Sequence, residues 1–201
     1  MSSAHVPADQ RRDVAVFLGR IVRLDPGALV RVRPAGASHL TLWAQLPFDV
    51  LAARTVAGTW PDDVTLGASA LLEAVPVGAG GTVTLPRRRD ADWRGSLPPD
   101  RGWHPLDTVP VDVVRGLIAA GQEAFQRNPE AGELLLDHET LRVVGDVHET
   151  TVPFRLLVAL ARMAFLGERD VTVAVVGPWL RLAAEHGIVY RRKPLASVAT
   201  L

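Results

Sequence analysis

The chain writes one layout twice. Residues 28–54 (ALVRVRPAGASHLTLWAQLPFDVLAAR) and 169–192 (RDVTVAVVGPWLRLAAEHGIVYRR) share the same plan. Each has an alternating apolar stretch, a glycine-containing turn, a second alternating stretch, a polar break and a short apolar run ending in arginine. With Gly36 laid on Gly177 and Asp49 on Gly187, the second copy is shorter by three residues between them. Alternation with period two is the mark of an antiparallel strand with one face buried. Such a face needs cover, and an amphipathic helical stretch precedes each copy. The predicted fold class is therefore α+β. It consists of two helix-plus-three-strand-meander units, pseudo-duplicated about a twofold, with antiparallel sheet and helices packed on the apolar faces.

The first helix is predicted over about 7–24. Val14, Phe17, Leu18 and Ile21 fall on one stripe, and Asp25-Pro26-Gly27 ends it. Strands follow at Val30–Val32, Leu40–Leu46 and Val50–Val56, then a short helix near 67–75. A further helix runs from Pro110 to about Arg127. A hairpin at 141–152 turns on Gly145-Asp146, pairing Arg142 with Glu149 and Val143 with His148. The next helix is placed at about 152–166, ended by Gly167. The second meander occupies 171–176, 179–184 and 188–192.

Between Pro76 and Pro110 the character changes to PRRRDADWRGSLPPDRGWHPLDTVP after a Gly78–Gly81 cluster and a short strand at 82–85. This reads as a long extended connection, pinned by Trp93 and Trp103 because a structureless loop of that length is uncommon. The expected organisation is a 1–76 αβββα unit, a 77–110 Pro/Arg/Trp-rich connection and a 111–201 α-hairpin-αβββ unit. The three can share one compact domain.

Composition narrows function by exclusion. The chain holds 21 Arg, one Lys (Lys193) and 22 acidic residues, so the formal net charge is zero and no global field gathers nucleic acid. Without cysteine there is no disulfide, thiolate metal site or cysteine nucleophile. No apolar run reaches the roughly 18 residues of a membrane span, and the first residues lack a secretory signal's apolar core. A cytoplasmic protein without membrane attachment is expected.

Chemistry-bearing patterns are few. The doublets His138-Glu139 and His148-Glu149 invite a metal, with Asp137 or Asp146 as helpers, but the hairpin register turns His148 and Glu149 to opposite faces. No metal site is assigned. Gly78–Gly81 lacks the GK[ST] ending of a phosphate loop and reads as a connector. The serines sit in no nucleophile elbow. No catalytic residue and no cofactor is assigned. Arg191-Arg192-Lys193 reads as charge that keeps the last strand soluble.

One set of residues carries a binding reading. Arg87, Arg88, Arg89, Trp93, Arg94, Trp103 and His104 interleave cations with aromatics, the recipe for an anion or single-strand platform. The plainer reading is a solvated linker in which Asp90 and Asp92 neutralise the arginines and the tryptophans anchor the chain.

The segments SLPPDRGWHPLDTVPVDVVRGLIAAG, VPFRLLVALARMAFLG and VAVVGPWLRLAAEHGIVYRR resemble an uncharacterised family of actinobacterial proteins. The similarity extends over most of the chain from FLGRIVRLDPGALVRVRP onward. It implies a bacterial cytoplasmic setting, which the excess of Arg over Lys also suits, and it brings no activity or functional residue with it. The order helix, three strands, helix also occurs in double-stranded-RNA-binding domains, whose basic loop and helix terminus are missing here.

The expected function is a non-catalytic interaction or scaffold protein that self-associates, as a dimer, or binds a protein partner. A small-ligand or nucleic-acid binder using the Arg/Trp-rich connection is the alternative, with nucleic acid disfavoured by the zero net charge. A hydrolase built on His138, His148 and Asp146 is a second alternative.

Overall fold

The computed structural model describes residues 4–78, 82–145 and 148–193 and divides into two compact units, 1–96 and 97–201. In the first unit β1 (Ala4–His5) leads to α1 (Ala8–Leu24), then β2 (Leu29–Pro34), β3 (His39–Leu46), β4 (Val50–Ala57) and β5 (Val64–Gly67). After these come α2 (Ala68–Ala74), β6 (Thr82–Val83) and a 3-10 turn at Asp90–Asp92. The sheet strands lie in the order β5-β2-β3-β4, all antiparallel, while β1 pairs with β6.

Alternation decides what this sheet buries. Val30 stands opposite Ala44, Val32 opposite Leu42, Ala44 opposite Ala52 and Leu46 opposite Val50, and all of them are buried. Helix α1 packs against β3 and β4 with its Val14, Phe17, Leu18 and Ile21 stripe fully enclosed. Burying each such large side chain stabilises by about 1.5–3 kcal/mol. Arg54 reaches from the same row of β4 to Asp13 of α1, tying helix to sheet. Arg11 is also buried, and its Nε donates to the Val6 carbonyl at 3.1 Å.

The second unit runs β7 (His104–Val109), α3 (Val111–Arg127), a 3-10 turn at Pro129–Ala131, α4 (Gly132–Asp137), β8 (Glu139–Val144) and β9 (Glu149–Pro153). It closes with α5 (Phe154–Arg162), β10 (Val171–Val176), β11 (Trp179–Ala184) and β12 (Gly187–Arg192). Its strand order is β12-β11-β10-β7, with β8 and β9 as a separate hairpin. Helix α5 is buried on nearly every side: Phe154, Leu156, Leu157, Ala159 and Leu160 are all in the core. It packs on α3, α4, β9 and β12.

The molecule is α+β, and both meanders are present. Gly36 and Gly177, matched in the sequence, both adopt left-handed backbone, with φ of +76° and +50°. That conformation costs glycine little and other residues more. The second copy is shorter because its middle strand has six residues against eight and its turns are tighter.

Within the extended 77–110 stretch lie β6, inside the strand expected at 82–85, the 3-10 turn and β7, and the unit boundary at 96/97 falls there too. Several details differ from expectation. Strand β7 escaped notice because Pro105 and Asp107 spoil its propensity, and its partner β10 is distant in sequence. Helix α5 ends at Arg162, well before Gly167; the chain takes left-handed backbone at Ala164 (φ +43°), so that Met163 and Phe165 both enter the core. The hairpin pairs Arg142 with Thr151 and Val144 with Glu149, a register shifted by two residues from the expected pairing of Arg142 with Glu149. Asp146, placed in that turn, lies outside the described residues. Finally, β5 and α4 were not foreseen as elements.

Helix packing in the second unit yields a direct test. A methyl group on Gly121 of α3 would run into the Phe154 ring of α5, whereas one on Gly116 meets nothing within 4 Å. Gly121→Ala should lower stability by about 1–3 kcal/mol through overpacking. Gly116→Ala should raise it by roughly 0.5–1 kcal/mol, the ordinary helix gain. Urea denaturation of both variants reads the contrast.

Candidate functional site

In the first unit the arginine-rich segment lies along the outer side of β5. The Asp90 carboxylate accepts the Thr65 N–H at 2.6 Å, and the Arg89 N–H donates to the Thr65 carbonyl at 2.7 Å. These are the groups a further strand would use, so the segment closes that sheet edge. The acceptance from Thr65 N–H, followed by the bond from Arg88, holds the Asp90 carboxyl below the usual carboxylate range. Arg88 pairs with Asp90 at 2.7 Å and with Asp62 at 3.6 Å, and Arg89 pairs with Asp92 at 2.7 Å. Across the sheet surface Asp63 takes Arg31 at 2.7 Å and Arg33 at 3.1 Å. A groove of about 270 Å3 is bounded by Arg31, Asp63, Thr65, Arg88, Asp90 and Trp93.

The binding set foreseen in the sequence is thus divided. Arg87, Arg88, Arg89, Trp93 and Arg94 belong to the first unit, and Trp103 and His104 to the second. Arg88 and Arg89 are committed to carboxylates. Arg87 and Arg94 are exposed and make no ion pair among the described residues. Trp93 is half-buried, and its Nε1 donates to the Gly95 carbonyl at 2.5 Å.

In the second unit Trp103 donates to the Pro99 carbonyl at 2.9 Å and lies over the Arg181 guanidinium, 4.5 Å from ring centre to Cζ. The Tyr190 ring is 5.6 Å away, buried, and burial pushes its phenol up to about 12. Arg181 Nε is buried with no hydrogen-bond partner of its own, while the guanidinium bonds the Tyr190 side chain and lies on the Trp103 ring. This cluster anchors the 97–103 segment to the sheet. His104 is exposed at the start of β7.

A second groove was not foreseen. Asp137, at the end of α4, receives Arg155 Nη2 at 2.6 Å and Arg191 Nη2 at 3.0 Å through one oxygen. Arg155 has a side chain only 5% exposed and also approaches Glu133 at 3.6 Å. Around this network Glu139, Thr151, Pro153, Leu180 and Lys193 line a groove of about 280 Å3. Arg191 is therefore a fixed component rather than surface charge. The available signal was Arg155 itself: an arginine inside the apolar run FRLLVALA must be buried beside a carboxylate.

Among the described residues no three His, Asp or Glu side chains gather where a metal could bind. His138 follows α4, and its backbone carbonyl accepts the Phe154 N–H at 2.9 Å. No helix is long and apolar enough to cross a membrane.

These geometries can be set beside known proteins. The sequence model of one family, "Domain of unknown function (DUF8010)", matches residues 3–95, and that of another, "Domain of unknown function (DUF8185)", matches residues 98–196. Each match takes in one half of the chain. Their limits coincide closely with the two compact units. No curated protein matches the sequence.

Solved structures are more informative about shape. The C. crescentus beta sliding clamp matches with a TM-score of 0.60 at 14% identity, over 98% of this chain and 66% of the clamp. The beta subunit from DNA polymerase of Streptococcus pyogenes gives 0.61 at 14%, over 100% and 66%. The Bacillus subtilis DNA polymerase sliding clamp gives 0.58 at 13%, over 99% and 66%. The likeness is one of fold, and this chain spans just under two thirds of these clamps' length.

The Asp137 network sets a pH test. Burial alone would raise the Asp137 carboxyl, but the bonds and charges of Arg155 and Arg191 outweigh it and hold it below its usual 3.8. A carboxyl lowered by folding contributes stability that is present above the unfolded value and lost as pH falls through the folded one. Asp137→Asn should cost about 1–2 kcal/mol at neutral pH, a value reduced because Asp137 is half exposed. The difference from wild type should shrink below about pH 4. Thermal melts across pH 3–7 measure it.

Proposed function

We propose that the protein is a non-catalytic, clamp-like scaffold that self-associates and offers its grooves to protein partners. The observation that carries this is the sliding-clamp fold, which runs through both units with TM-scores near 0.6. The Asp137 groove supports the partner half of the reading. Asp137 and Arg191 in its wall are paired within the chain, so an incoming segment meets a preorganised polar surface flanked by Leu180 and Pro153. Self-association by adding strands is poorly served at β5, where Thr65 is already satisfied, and faces of the units are the better candidates. Size-exclusion chromatography with light scattering should give a multiple of 21.7 kDa at micromolar concentration. Monomer throughout that range would contradict the reading.

A second reading, contact with a nucleic-acid backbone, gains support from α1 rather than from the Arg/Trp-rich stretch. Arg12, Arg20 and Arg23 lie off the helix's buried stripe. Burial first, then the neighbouring charges of Arg23 and Arg54, lower the proton affinity of Arg20. Such a stripe binds duplex DNA with an affinity that falls steeply with salt. Arg12→Glu together with Arg23→Glu should abolish any low-salt binding seen by fluorescence anisotropy. Binding unchanged in that double variant would discard the stripe.

A further inference from the structure

The two exposed histidines that the sequence sets 44 residues apart, His104 and His148, meet in the second unit. Their ring centres are 5.1 Å apart and tilted by 58°. His104 opens β7, and His148 immediately precedes β9. The backbone beneath them is held. Gly145 donates to the His148 carbonyl at 2.8 Å, and Gly145 itself lies so close to β7 that a Cβ there would stand 3.1 Å from the Leu106 Cα. That end of the hairpin therefore rests on the strand that carries His104. Neither imidazole makes a hydrogen bond among the described residues, so both rings retain nitrogen lone pairs.

We infer that His104 and His148 form a two-histidine site for a divalent transition-metal ion of the zinc, nickel or copper kind. Two imidazoles on one tetrahedral ion place their ring centres about 5 Å apart, given metal–nitrogen bonds of about 2.0–2.1 Å and about 1.1 Å more to each centre. The observed centre-to-centre spacing of 5.1 Å is the one such an ion requires. Neutral imidazole selects borderline metals over magnesium or calcium, which take oxygen donors. The nearby carboxylates are otherwise engaged. Glu149 pairs with Arg142 at 2.5 Å, and Asp107 accepts the Thr108 N–H at 2.7 Å. Among the described residues the ion thus has two protein ligands, with water in the remaining positions. This inference stands apart from the scaffold reading and survives or fails without it.

The test uses the full chain. Titration with Zn2+ followed by calorimetry should show one equivalent bound. Cu2+ electron paramagnetic resonance should show coupling to imidazole nitrogens. His104→Ala and His148→Ala should each weaken binding at least about tenfold, since loss of even a supporting second-sphere group costs about 10–100-fold. His138→Ala and His186→Ala should leave binding unchanged. Both site residues are exposed, and circular dichroism confirms that each variant is folded; His148→Gln serves if His148→Ala is not. No uptake of Zn2+ or Cu2+, or uptake indifferent to substitution at both histidines (an adventitious ion only), would overturn the site.

Discussion

Each unit depends on one constraint: a three-strand meander has an apolar row that only a helix can remove from water. In the first unit that row is Val30, Val32, Leu42, Ala44, Leu46, Val50 and Ala52, and α1 covers it. In the second it is Val173, Leu180, Leu182 and Val189, with α5 packed on β12. The rest of the architecture follows from closing these two layers. Helix α3 must approach α5 closely enough that position 121 has no room for a methyl group. A buried arginine on α5 must then bring a carboxylate with it, and Asp137 answers that demand.

Each unit is finished by a segment of low regularity, on the β5 edge in the first and over Arg181 in the second. Along β5 the 88–92 stretch supplies backbone and carboxylate partners to Thr65, so its charges work as an edge cover. In the second unit Trp103 closes over Arg181 and beside Tyr190. Of the Arg and Trp residues grouped in the sequence, Arg88 and Arg89 pair with carboxylates in the first unit and Trp103 packs on Arg181 in the second.

Much of the fold was legible because period-two and period-3.6 patterns report burial directly. Both meanders, α1 and α3 fall where the alternation of residues such as Val30/Val32 and the Val14–Ile21 stripe put them. Strand β7 was not legible, because Pro105 and Asp107 mask a strand whose pairing with β10 is set by tertiary contact. The site was harder still. His104 and His148 were both noticed, but as members of different groupings, and only the folded chain brings their rings together. Likewise Asp137, Arg155 and Arg191 come from three separate elements, and no spacing rule connects them.

The account stands or falls on two similar meanders, each with its own covered core. Native-state hydrogen exchange on the whole chain examines this most directly. Amides of the middle strands β3 and β11 should be among the slowest to exchange, with comparable protection in the two units and faster exchange along β5 and β7. Exchange at unprotected rates throughout either meander, while the other stays protected, would contradict it.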